Sequence, residues 1–187
     1  KQAKVLFDRI IRAAVARGLN FEIFENEKAK MDGEYGAYAN AYQLIRIALA
    51  DAASPTGETI RMLLHEVGHA VFANEPVEVR EAVHRAINSM SDKALQLEGF
   101  SLAVPEGMNE AEVVQEERLV ETTSIALQQE GFDPTVAQSI SQKFLRFLKD
   151  LYYRAAMAIQ RSTGLNIAND ELPLRYFQNR MRMFLAG

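Results

Sequence analysis

The chain has 187 residues, 48% hydrophobic and 25% charged, which sets the expectation of one globular domain with a helical extension. Its net charge of -4, with basic residues scattered among acids, excludes the clustered basic surface that nucleic acid requires, and no apolar run approaches the roughly 18 residues of a membrane span. Cysteine is absent, so disulfides and thiolate ligands are excluded, and a bound transition metal must be held by His, Asp or Glu.

In chain order, Val5, Leu6, Ile10, Ala13 and Ala14 recur at helical spacing, and Gly18 follows where a C-terminal cap belongs. Leu19 to Phe24 alternates Phe21 and Ile23 against Asn20 and Glu22, the pattern of a short strand. Met31 to Tyr38 mixes turn residues with aromatics and is expected to supply a second strand. Gln43 to Leu49 is the clearest strand of the three. Ser54 and Pro55 then read as the cap and first turn of a helix, with Glu58 near its positive end.

Beyond residue 77 the pattern is almost wholly helical, broken at Gly99 and across Pro105 to Asn109. One helix is expected over 110–130, ending at Gly131. A second is expected from Asp133-Pro134 to Gly164, and a last one capped by Asn169 or Asp170. The expected class is α+β, with a small, mostly antiparallel sheet and a predominantly helical C-terminal half. Residues 1–130 are expected to form the core and residues 131–187 a helical extension packed on it. No signal-peptide pattern opens the sequence, and compartment is not legible from its ends. Because it opens at Lys1, the chain is expected to be part of a larger parent chain with further domains as partners.

Chemistry concentrates in His65-Glu66-Val67-Gly68-His69. Residues four apart on a helix have Cβ atoms about 5–6 Å apart on one face, so two imidazoles can converge on one ion. Glu66 projects beside such an ion, where it can take a proton from water as a general base. Ile60, Leu63, Leu64, Val67 and Val71 form an apolar stripe that packs inward, turning the histidines toward a cleft. Gly68 sacrifices roughly 1 kcal/mol of helix propensity relative to Ala, which a close backbone approach would explain.

A catalytic zinc ion takes three protein ligands and leaves one position for water. Phe72 and Glu75 occupy the positions where a longer motif would carry Gly and His, so the third ligand is not a nearby histidine. His84 reads as a surface or partly buried helical residue. Glu78 and Glu81 leave too little chain for a turn and a returning helix, and Asp92 and Glu98 lack a supporting acid. On the helix over 110–130, Glu117, Val120, Glu121 and Ser124 share one face. Glu117 is the expected ligand, with Glu116 as fallback, and Glu121 is expected to accept a hydrogen bond from a ligand imidazole.

The motif His65 to His69, followed by Glu117-Arg118-Leu119-Val120-Glu121, resembles the zincin clan of zinc metallopeptidases with a glutamate third ligand. It is particularly similar to the branch that includes the anthrax lethal factor catalytic domain, although Val120 stands where that branch has alanine. Gly33-Glu34-Tyr35, the strand Gln43 to Leu49 and Thr59 also resemble peptidase domains of large multidomain bacteriophage and mobile-element proteins.

The resemblance covers about residues 19–130. It implies a zincin-like fold, Zn2+ as cofactor, a polypeptide substrate, and a strand ending near Leu49 that forms the sheet edge pairing with that substrate. It also implies a tyrosine shortly before the ligand glutamate, and none lies between His69 and Glu117. Tyr152, Tyr153 and Tyr176 could replace it only if the C-terminal helices fold back. Two other functions compete with a general peptidase: a catalytically silent structural or binding module, and a regulatory protease with a single partner.

Overall fold

Helix α1 (Gln2–Val15) turns Phe7, Ile10 and Ala14 into the core and ends at Gly18. Gly18 has φ 90°, which lets its N–H reach the Val15 carbonyl (3.0 Å) and the Leu19 N–H reach that of Ala14 (3.2 Å). The computed structural model to which these positions belong describes residues 2–25, 35–51, 54–99, 110–135, 140–163 and 171–186. Among the described residues the protein is α+β, with seven α-helices and one three-stranded sheet.

The strands are β1 (Asn20–Glu25), β2 (Tyr35–Ala39) and β3 (Leu44–Leu49), in the order β1-β3-β2. β3 runs parallel to β1, with Asn20 opposite Leu44 and Glu25 opposite Leu49, and antiparallel to β2, with Tyr35 opposite Ala48 and Ala39 opposite Leu44. The sheet is therefore mixed, which corrects the expectation of a mostly antiparallel one. β3 is also its centre, which overturns the expectation that this strand is a free edge. Its apolar run explains the placement: Ile45, Ile47, Ala48 and Leu49 are all buried, as befits a strand flanked on both sides. The edges are β1 and β2. Gln43, expected inside β3, instead turns the chain in the left-handed region (φ 47°) after a short 3-10 turn, Asn40–Tyr42.

Helix α2 (Gly57–Ala73) packs against α1, β2 and β3. Its cap is Thr56 and not Ser54, because Thr56 can exchange two bonds with Thr59. The Thr59 N–H donates to the Thr56 hydroxyl (3.2 Å), and the Thr56 N–H donates to the Thr59 hydroxyl (2.9 Å). The remaining helices are α3 (Val77–Ser89), α4 (Asp92–Leu95), α5 (Glu110–Gln129), α6 (Ile140–Thr163) and α7 (Leu172–Ala186). Gly131 closes α5 as Gly18 closes α1, with φ 62° and a bond from the Phe132 N–H to the Leu127 carbonyl (3.0 Å). The expected start of α6 after Pro134 and the expected caps Asn169 and Asp170 reach into residues outside those described. Among the described residues no helix is long and apolar enough to cross a membrane.

The chain groups into two compact units. The first takes Lys1–Asn74, Ser124–Val136 and Met181–Gly187; the second takes Glu75–Thr123 and Ala137–Arg180. Helices α5 and α7 each contribute residues to both without a break. In the second unit Glu75 is buried and accepts hydrogen bonds from the Tyr176 hydroxyl (2.6 Å) and the Arg180 Nε (2.7 Å). Burial and the adjacent carboxylate hold the Tyr176 phenol well above its ordinary pKa, so it stays a donor. Also in this unit, Arg118 donates to the carbonyls of Ile87 (3.4 Å) and Met90 (2.8 Å) and to Asp92 (2.8 Å). One turn on, Thr122 donates to the Leu95 carbonyl (2.9 Å), so two successive turns of α5 are tied to residues 87–95.

Candidate metal centre

The centre is built on α2. Its stripe of Ile60, Leu63, Leu64, Val67 and Val71 is buried, and Gly68 is buried with it. Rotation by 3.6 residues per turn then leaves His65 and His69 half-buried on an adjoining face. Asn74 finishes the helix, its side-chain amide donating to the Ala70 carbonyl (2.7 Å).

The two histidines present the same nitrogen to one point. Nε2 of His65 and Nε2 of His69 lie 3.2 Å apart, with ring planes inclined at 69°. Two nitrogens each bound to zinc at about 2.0–2.1 Å in a tetrahedral arrangement would stand about 3.3–3.4 Å apart, a spacing the pair nearly matches. The same spacing also fits a hydrogen bond from one neutral ring to the other, which needs one ring to carry its proton on Nε2. Glu66, between them in sequence, is 6% exposed.

Helix α5 brings the third candidate. Within the first unit, the Gln128 side-chain amide donates to the Gly57 carbonyl (2.6 Å) and ties the end of α5 to the start of α2. One ligand atom from each of His65, His69 and Glu117 lies within 4.8 Å of the other two, a group that could hold a metal ion. The donor set is two nitrogens and one oxygen without sulfur, which suits a zinc-type ion that keeps an open position.

The other acids sit elsewhere. Asp92 is engaged with Arg118, and Glu78, Glu81 and Glu98 are exposed. Glu116 and Glu112 lie near His84 and favour its charged form, but burial outweighs them and lowers the His84 pKa. Glu121 is 5% exposed, on a stretch that also buries Val120, Thr123 and Ser124, so this face of α5 is not a solvated acidic surface. Of the tyrosines weighed as replacements for a missing one, Tyr176 is committed to Glu75 and Tyr152 is 57% exposed. Sequence reasoning passed over Gly36 of β2, against which the Glu66 side chain packs. An isolated glycine in a strand of aromatics and alanines was its signal. Comparison with known proteins finds no matching family model, no matching curated protein and no matching solved structure.

Proposed function

We propose that this chain is a zinc-dependent peptide hydrolase of zincin type. The observation that carries the reading is the convergence of His65 Nε2 and His69 Nε2 to 3.2 Å beside a buried glutamate on the same helix. His65, His69 and Glu117 would hold the ion. Bound there, zinc supplies a Lewis acid that lowers the pKa of water toward about 7 and polarises the scissile carbonyl. Glu66 would take the proton of the attacking water on its carboxylate and return it to the amide nitrogen as the C–N bond breaks. Glu121, one turn beyond Glu117, is the group that would orient a ligand imidazole. The substrate is an extended polypeptide, and the further domains of a parent chain are the expected partners.

The test is hydrolysis of an unfolded protein such as reduced, alkylated casein. Cleavage should stop with a zinc chelator and return when zinc is added back in stoichiometric amount. Zinc bound at one ion per chain with no cleavage of unfolded protein or of a peptide library would replace this reading with that of a silent binding module.

A further inference from the structure

We propose that Gly36 is the positioning residue for Glu66: its missing side chain leaves the space in which the glutamate holds its working conformation. This rests on the hydrolase reading of the same site. A Cβ built on Gly36 would stand 2.6 Å from Glu66 Cγ, 2.8 Å from its Oε1 and 2.9 Å from its Cδ. Ordinary contact begins at 3.4 Å, so even a methyl group requires a displacement approaching 1 Å. Backbone freedom does not explain this glycine. Gly18, Gly99 and Gly131 have positive φ, whereas Gly36 is extended and paired with Ile47 of β3.

The side that must give way is also determined. β2 is hydrogen-bonded to β3 along its length, and α2 is anchored by its capping box and its buried stripe. The movable part is the Glu66 side chain, whose Cγ, the nearest atom at 2.6 Å, turns about the Cα–Cβ bond and carries the carboxylate with it. A methyl group at position 36 would therefore swing the carboxylate aside with little disturbance of either backbone. Edge strand and helix together fix where the base stands relative to the histidine pair, and a displacement of about 1 Å in a reacting group can lower rate by about 10²-fold.

The experiment is a double-substitution cycle on the full chain. Without zinc, Gly36→Ala should lower the melting midpoint by about 2–4 °C in the native background. In a Glu66→Ala background, where the space is empty, the same substitution should leave the midpoint unchanged or raise it. With zinc, Gly36→Ala should bind the ion within about twofold of the native affinity and lose about 10²-fold in kcat, and it should cost nothing further in Glu66→Gln. Equal melting shifts in both backgrounds would overturn the contact. Full turnover in Gly36→Ala, with Glu66→Gln inactive, would overturn the positioning role while sparing the hydrolase reading. Absence of turnover in the zinc-loaded native chain would remove the hydrolase reading itself, and full turnover in Glu66→Gln would remove the role given to Glu66; the melting cycle, which needs neither zinc nor activity, separates both failures from failure of the contact.

Discussion

Alanine at position 69 is expected to reduce bound zinc from about one ion per chain to background, measured by elemental analysis after exhaustive dialysis. The expectation follows from the donor set. With cysteine absent, His65 and His69, their Nε2 atoms 3.2 Å apart, form with Glu117 the only group of three possible metal ligands found among the described residues. Removing one leaves a single imidazole and Glu117, too few to hold zinc against dialysis. The loss should exceed the roughly 10–100-fold typical of an outer hydrogen-bonding partner. The fold should survive, because His69 is half-buried beside the apolar stripe and alanine has the higher helix propensity. Far-UV circular dichroism of the metal-free variant should therefore match that of the native chain. Unchanged zinc content in His69→Ala would show that the ion, if bound, sits elsewhere.

Glu66→Gln is expected to separate binding from turnover. The substitution keeps the shape of the side chain and one of its oxygens but removes its capacity to accept a proton at neutral pH. Loss of a general base typically lowers rate by about 10²–10⁴-fold. Zinc content should stay at the native level, because Glu66 is not among the three side chains whose ligand atoms cluster. Kinetics on one established substrate, with kcat and KM resolved, checks this. A fall in kcat with KM nearly unchanged is expected, and native kcat in the variant contradicts the role given to Glu66.

Much of α2 was legible in the sequence because its information is local. Ile60, Leu63, Leu64, Val67 and Val71 recur at the helical period and are all buried, and the four-residue spacing of His65 and His69 suffices to align their rings. The face that singled out Glu117 also carries Val120, Glu121 and Ser124, and those three residues are buried. What escaped depends on contacts distant in sequence. Nothing in the local pattern of Leu44–Leu49 states that β1 pairs with it in parallel and β2 in antiparallel fashion. The near-continuous apolar run of β3 fits a central strand better than the edge implied by the resemblance. Two hydroxyl residues flank Pro55, and only the reach of Thr56 to Thr59 decides which one caps the helix. Gly36 and the Glu75–Tyr176–Arg180 network join residues up to about 100 positions apart, beyond any periodicity.

The most direct measurement is a crystal structure of the zinc-loaded protein with anomalous differences collected on both sides of the zinc absorption edge. One peak is expected, about 2.0–2.1 Å from His65 Nε2 and His69 Nε2 and about 2.0–2.2 Å from a carboxylate oxygen of Glu117, with the Glu121 carboxylate within hydrogen-bond reach of a ligand imidazole. No peak at the histidine pair, or a peak bonded to Glu116 or Asp92 in place of Glu117, would contradict it.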